Sequence, residues 1–220
     1  MDVSIDWSWV TSHVGAMATR FLQHLQLVGI AVTAGFAISL VLAIWAFRQP
    51  RAYSPITAIT GLLYTIPSLA AFALLRPFTG LTLLTAVIPL TTYTLLILVR
   101  ANVAGFQSVP ADVVEAAEGM GYTRRQRLVR VELPLALPLI MAGIRLAVVT
   151  TIGLATVASI LGENFGGFGF FITEGLDRFF LTEIYVGAVL SIVMAFAADF
   201  ILVRIERWIT PWARAKAGAR

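Results

Sequence analysis

The sequence predicts an all-α, polytopic membrane protein with about five transmembrane helices. Of its 220 residues, 59% are hydrophobic and 13% are charged, whereas soluble globular domains have about 45–50% apolar and about 25% charged residues. Three long runs contain no Asp, Glu, Lys or Arg, and each exceeds the roughly 18 residues that indicate a membrane-spanning helix. The chain has no cysteine, which excludes disulfides, thiolate nucleophiles and thiolate metal ligands.

The five predicted spans follow one another along the chain with short connections. They cover residues 21–47, 53–75, 79–99, 135–161 and 179–203. The first three spans have no charged side chain, the fourth contains Arg145, and the fifth contains Glu183 and Asp199. Pro67 and Pro89 lie inside the second and third spans, where each removes a backbone hydrogen bond and favours a kink.

The segments outside the spans are assigned as tails and loops. Residues 1–20 are expected to form an extracytoplasmic tail, and residues 204–220 are expected to form a basic cytoplasmic tail. The short link at 76–78 makes the second and third spans an antiparallel pair. Residues 162–178 are expected to form an outer loop folded back into the protein. A re-entrant piece at 165–172 stays open, because its glycines disfavour a continuous lipid-facing helix.

Basic side chains are distributed unequally between the two sides of these spans. Of the 16 Lys and Arg residues, 12 fall on one side and three on the other, and Arg145 is inside a span. Because short cytoplasmic loops carry the Lys and Arg excess, the N-terminus is predicted outside and the C-terminus inside. The net charge of +4 is thereby explained by the loops, and no nucleic-acid partner is expected.

The longest polar stretch, residues 100–134, separates the third and fourth spans and predicts two short helices. Pro110 can begin the first helix, and Glu115 follows in its opening turns, where the helix dipole favours negative charge. Gly119 and Gly121 are typical of its end. The apolar side chains of this helix cannot reach the bilayer core, so they predict a protein partner.

The second helix of this loop has a recognisable beginning. Thr123 and Gln126 stand three residues apart, as in a capping box, and the helix is expected to run until Pro134. An alternative is that the loop rests on lipid headgroups, to which its arginines would contribute.

A spaced motif in this loop resembles the EAA loop of binding-protein-dependent ABC importer permeases. It consists of Glu115-Ala116-Ala117, three residues, Gly121, nine residues, and then Val131-Glu132-Leu133-Pro134. The family prefers Ile where Val131 stands. The resemblance implies a type I ABC transmembrane domain at 21–203 and a loop that couples the permease to a separate ATPase. The implied coupling residues are Glu115, Ala116, Ala117, Gly121, Leu133 and Pro134.

Further segments resemble the permeases that import osmoprotectants such as glycine betaine, choline, carnitine and proline betaine. These segments are residues 64–70, 132–138, 142–145 and 166–169. The resemblance implies a multi-pass protein of the prokaryotic cytoplasmic membrane. Its implied partners are two ATPase subunits that use ATP and Mg, a second permease that is either another copy or a paralogue, and an external solute-binding protein. No cofactor is expected in this chain.

Other functional classes lack their sequence basis. His13 and His24 have no motif partner, and no metalloprotease, hydrolase or Walker motif is present, so the chain is not expected to be an enzyme. An intramembrane enzyme and a passive channel are the alternatives from other classes. Within the transporter class, an amino acid or another small polar solute is the alternative substrate.

A translocation path is expected near the Ile-Pro-Ser segment of the second span. Quaternary ammonium ions bind aromatic faces through cation–π attraction, for which Tyr64, Tyr93 and Trp45 are candidates, although membrane aromatics also serve as packing and interface anchors. The residues assigned to the path are Tyr64, Pro67, Ser68 and Tyr93.

Arg145 and Asp199 are expected to form an ion pair in the inner half of the membrane. At 1.5 Å per residue, Arg145 lies roughly 10 Å and Asp199 roughly 6 Å from the inner ends of their spans, so their depths match. In the alternative, Arg145 reaches lipid phosphate while Asp199 faces Arg204 or water.

Overall fold

The computed structural model describes residues 5–162 and 165–212, and this part of the chain is helical without any strand. The expected all-α fold class is therefore confirmed. The α-helices are α1 (Trp7–Ser12), α2 (Val14–Arg48), α3 (Pro50–Thr65), α4 (Ser68–Thr79), α5 (Leu83–Gln107), α6 (Ala111–Gly119), α7 (Arg124–Arg127), α8 (Leu133–Val157), α9 (Gly169–Asp177) and α10 (Leu181–Ile209). A π turn (Leu128–Glu132) precedes α8, and a 3-10 turn (Ala158–Leu161) follows it. The end of the predicted basic tail, residues 213–220, lies outside the described residues.

Four stretches of the described chain are long and apolar enough to cross a membrane. They are α2, α5, the continuous stretch from Arg124 to Leu161, and α10, and the bent pair of α3 and α4 together makes a fifth. This number agrees with the predicted five spans, while the orientation of the termini stays a prediction. In the bundle, α5 packs against α2 and α8, and α10 packs against α8 and α9.

The second span is not the single helix that hydropathy predicts. Its two helices, α3 and α4, meet at a bend of 92°. The backbone is extended at Ile66, which precedes Pro67, because a proline disfavours helical geometry in the residue before it. The predicted link at 76–78 is helical instead, and α4 ends at Gly80, whose φ is +68°. Pro89 lies within the uninterrupted helix α5.

The third span continues well past its predicted end at residue 99. Helix α5 reaches Gln107, and Asn102, Val103 and Phe106 are buried. The Nδ2 atom of Asn102 donates to Ser39 Oγ of α2 at 3.2 Å. Because these side chains pack against other helices, α5 continues through residues 100–107, which the sequence assigned to a polar loop.

The second loop helix does not stop at Pro134, contrary to the sequence prediction. Helix α7, the π turn and α8 follow one another without a break. The amide of Leu133 donates to the carbonyl of Leu128, five residues earlier, which is the hydrogen bond of a π turn. Pro134 has no amide hydrogen to donate, and it is tolerated near the beginning of α8.

The segment after the 3-10 turn packs against the bundle. Phe168 and Phe171 are buried in the same core cluster as Leu27 of α2 and Ile152 of α8. A Cβ atom on Gly169 would lie 2.0 Å from the carbonyl oxygen of Thr156, so only glycine permits this approach. A second core cluster, nearer the α6–α7 loop, contains Ala43, Val99, Val103, Phe106 and Ile140.

Candidate functional site

Helix α6 carries the first part of the EAA-like motif and presents its residues to opposite sides. Its N-cap is Pro110, one position before the first helical residue. Glu115 and Ala116 are exposed, whereas Ala117 is only 1% exposed. The helix therefore rests on its own protein through Ala117 and leaves Glu115 and Ala116 exposed on its outer side.

Gly121 ends this helix in a left-handed conformation. Its φ is +80°, a region that L side chains rarely adopt. The amide of Gly121 donates to the carbonyl of Glu118 at 2.9 Å, and that of Tyr122 donates to Ala117 at 3.1 Å. These two bonds form a Schellman motif, which turns the chain toward α7.

The remainder of the motif lies apart from the surface of α6. Thr123 and Gln126 form the predicted capping box at the beginning of α7. Leu133 is partly buried against the second core cluster, and Pro134 lies in the first turn of α8. The structure thus separates the motif into a surface helix and the beginning of a span.

Arg127 joins these two parts and was missed by the sequence reasoning. Its Nε donates to Glu132 Oε1 at 2.7 Å, and its Nη1 forms an ion pair with Glu118. The side chain of Glu132 is 3% exposed and that of Glu118 is 57% exposed. A cleft of about 690 Å³ lies beside this network, with Arg48 and Arg124 in its wall.

Two tyrosines lie at the bend between α3 and α4. The rings of Tyr64 and Tyr93 make an edge-to-face contact with centroids 5.8 Å apart. The hydroxyl of Tyr93 donates to the carbonyl of Ile66 at 2.6 Å. Tyr93 is 5% exposed and Tyr64 is 39% exposed. The buried Tyr93 therefore satisfies a carbonyl at the bend, whereas the ring of Tyr64 is exposed.

A groove of about 550 Å³ runs from the bend along α5 and α8. Its wall includes Tyr64, Arg100, Leu139 and Gly143, so one aromatic ring and one guanidinium interrupt an apolar surface. Pro67 is exposed and Ser68 is half-buried at the start of α4. Of the residues assigned to the path, the structure places Tyr64 in this wall but not Pro67, Ser68 or Tyr93, and the candidate Trp45 is also absent from it.

Arg145 of α8 contacts two carboxylates of α10. Its Nε and Nη2 donate to the two carboxylate oxygens of Asp199 at 2.9 and 3.3 Å. Its Nη1 donates to Glu206 at 3.4 Å. Glu206 was not anticipated, although it lies seven residues after Asp199 and so on the same helix face. A second groove, of about 660 Å³, has Arg145, Asp199 and Phe196 in its wall.

His24 is a buried link in the core. Its Nδ1 accepts a hydrogen bond from the amide of Phe168 at 3.3 Å, and its Nε2 lies 3.1 Å from the carbonyl of Ile152. Because Nδ1 accepts, Nε2 carries the proton and donates. His24 thus ties α2 to α8 and to the segment before α9. Among the described residues, no group of three or more His, Asp or Glu side chains could hold a metal ion.

Comparison with known proteins identifies similar chains that extend over almost the same length. Residues 24–215 match the family described as binding-protein-dependent transport system inner membrane component. The carnitine transport permease protein OpuCB of Listeria monocytogenes is 37% identical over 86% of each chain. The osmoprotectant import permease protein OsmW of Salmonella typhimurium is 34% identical, covering 92% of this chain and 96% of that protein. A chain of the inward-facing MetNI methionine ABC transporter has a TM-score of 0.76 and 23% identity, covering 86% of this chain and 94% of its own length, and shares the fold.

Proposed function

The chain belongs to the binding-protein-dependent transport system inner membrane component family, and from this premise we propose that it conducts a small quaternary ammonium osmoprotectant. It is a transmembrane permease subunit of an ATP-driven importer and lies in the inner membrane of a prokaryote. Its fold is that of the permeases of type I ABC importers.

The observation that carries the substrate class is the near-complete overlap with permeases named for such compounds. The similar proteins include the carnitine permease of Listeria monocytogenes and a choline permease of Bacillus subtilis, whose matches cover 86% and 90% of this chain. The exposed ring of Tyr64 on the apolar groove supports the proposal, because an aromatic face attracts a trimethylammonium group by about 0.5–2 kcal/mol. Glycine betaine, choline, carnitine and proline betaine are therefore the proposed substrates.

The same proposal assigns partners to the two ends of the bundle. Helix α6 would dock on a separate ATPase subunit through Glu115 and Ala116, and that subunit would bind ATP and Mg and hydrolyse the nucleotide. A second permease, identical or paralogous, would complete the path along the groove. A solute-binding protein would deliver the substrate at the opposite end. The permease chain itself would have no enzymatic activity.

Radiolabelled uptake tests the substrate class. The chain is produced together with its ATPase and binding protein in cells that lack other osmoprotectant importers, and the four quaternary ammonium compounds are compared with methionine and proline. We expect uptake of at least one quaternary ammonium compound to exceed that of both amino acids. Uptake of an amino acid alone would contradict the proposed substrate class and favour an amino-acid permease.

The docking role of the loop is tested with two matched glycine variants. Gly121→Ala forces a side chain into a left-handed conformation, at a cost of about 1–2 kcal/mol, whereas Gly119 has an ordinary φ and free space around its Cβ position. We expect Gly121→Ala, but not Gly119→Ala, to lower co-purification of the ATPase. Equal co-purification by both variants would argue against docking through this loop.

A further inference from the structure

Arg127 lies where α6 and the beginning of the α8 span approach each other, and it contacts a carboxylate on each side. Glu118 belongs to α6, the helix proposed to dock on the ATPase. Glu132 is the last residue of the π turn and directly precedes α8. One guanidinium therefore bridges the docking helix and the span through two different nitrogens, Nη1 and Nε.

The two carboxylates differ in how firmly they hold the guanidinium. Glu132 is almost fully buried, and a buried carboxylate is costly unless it is paired and hydrogen-bonded. Its bond to Nε, at 2.7 Å, is a short charge-assisted hydrogen bond. Glu118 is exposed, so its contact is weaker and more easily rearranged. Arg127 is therefore held more firmly by Glu132, next to the span, than by Glu118 of α6.

The backbone on both sides of Arg127 is well defined. The capping box of Thr123 and Gln126 holds the beginning of α7. The π turn follows at Leu128, where the hydrogen-bond pattern changes from four to five residues. Arg127 is the last residue before this change in the hydrogen-bond pattern. The capped helix and the π turn therefore fix the position of its backbone, from which the side chain extends to Glu118.

From these contacts we infer that Arg127 is a positioning residue that makes the docking helix α6 and the beginning of the α8 span move together. The inference rests on the proposed function, since it requires that an ATPase moves α6. Arginine suits this role because its nitrogens form a rigid fork, whereas a lysine has one ammonium at a flexible end. Arg127→Lys would keep the charge but would not maintain both contacts with the same geometry.

The test measures substrate transported per ATP hydrolysed in proteoliposomes that contain the permease, its ATPase and its binding protein. The compound with the highest rate in the uptake panel serves as the substrate. We compare Arg127→Ala, Arg127→Lys and Glu118→Gln with Arg51→Ala, which removes an exposed arginine of α3 outside the loop. Co-purification of the ATPase is measured for every variant.

We expect Arg127→Ala and Glu118→Gln to retain the ATPase and to hydrolyse ATP, while substrate transported per ATP falls about fivefold or more, the lower range of typical coupling between sites. Arg127→Lys should restore part of this ratio, and Arg51→Ala should match the wild type. The double variant Glu118→Gln/Arg127→Ala should be no worse than Arg127→Ala, because both changes break the same bridge.

The possible failures can be told apart. If the wild type shows no ATP-dependent uptake of any compound in the panel, the proposed function fails. If the wild type transports and both Arg127→Ala and Glu118→Gln keep its ratio, the positioning role of Arg127 is refuted while the proposed function stands. If Arg127→Ala does not assemble, Glu118→Gln decides, because it leaves the buried pair of Arg127 and Glu132 in place.

Discussion

Replacing Tyr93 by Phe removes one hydroxyl group and retains the aromatic ring that packs against Tyr64. That hydroxyl is the hydrogen-bond donor to the carbonyl of Ile66, at 2.6 Å. The carbonyl lies at the 92° bend between α3 and α4, where the regular helical hydrogen bonds are interrupted. We therefore expect Tyr93→Phe to destabilise the bend without changing the packing of the ring.

The size of the effect follows from the burial of the tyrosine. Tyr93 is only 5% exposed, so water does not readily replace the lost donor. A buried polar group without its partner costs about 1–3 kcal/mol. For a chain of this size, each kcal/mol lowers the melting temperature by about 2–4 °C. The variant should therefore melt roughly 2–12 °C below the wild type.

The assay is thermal unfolding of the purified permease in detergent. Its readout is the fraction of protein that remains monodisperse in size-exclusion chromatography after heating. Tyr64→Phe is the matched control, because it removes a hydroxyl from the exposed ring of the same pair, and no hydrogen bond from that hydroxyl is described. We expect the control to melt with the wild type.

Two results would refute this reasoning. If Tyr93→Phe melts within about 1 °C of the wild type, a shift below the range expected for a lost buried hydrogen bond, the bond to Ile66 does not stabilise the bend. If Tyr64→Phe and Tyr93→Phe melt equally far below the wild type, the loss arises from the ring pair and not from the carbonyl contact.

Three further predictions concern packing, charge and topology. Gly169→Ala should lower the yield of folded protein, because the added Cβ would lie 2.0 Å from the carbonyl oxygen of Thr156 in α8, whereas Gly153→Ala has free space and should not; similar yields would contradict this packing. Arg145→Ala and Asp199→Ala should each lower the melting temperature, and the double variant should lose less than their sum; strictly additive losses would show that the two charges do not interact. Because the chain has no native cysteine, a cysteine at Gln126 should resist an impermeant reagent in intact cells, and labelling there would reverse the predicted orientation.

Much of the architecture follows from local properties of the sequence. The long apolar runs predict the spans because a helix in lipid must satisfy its backbone internally and expose apolar side chains. The Thr123 capping box and the turn at Gly121 are likewise local, since each depends on hydrogen bonds or a backbone conformation within a few residues. The EAA-like spacing indicated the family, which the comparisons confirm.

The tertiary structure alone decided where several helices end. Hydropathy ends the third span before Arg100, but α5 continues because Asn102 reaches Ser39 across the bundle and Phe106 is buried. Conversely, Pro67 divides an uncharged run into two helices that meet at 92°, and Tyr93 of α5 donates a hydrogen bond to the carbonyl of Ile66 at their junction.

The charged networks also required the fold. The role of Glu132 became visible only with its burial and its contact with Arg127. Glu206 contacts Arg145, which lies 61 residues earlier in the chain. A hydropathy average assigns each charged side chain a free-energy cost from its position in the sequence alone, and local sequence is enough for that. Whether that cost is offset depends on a partner brought close by folding, because the free energy of a charge in a low-dielectric environment is governed by the groups around it in space.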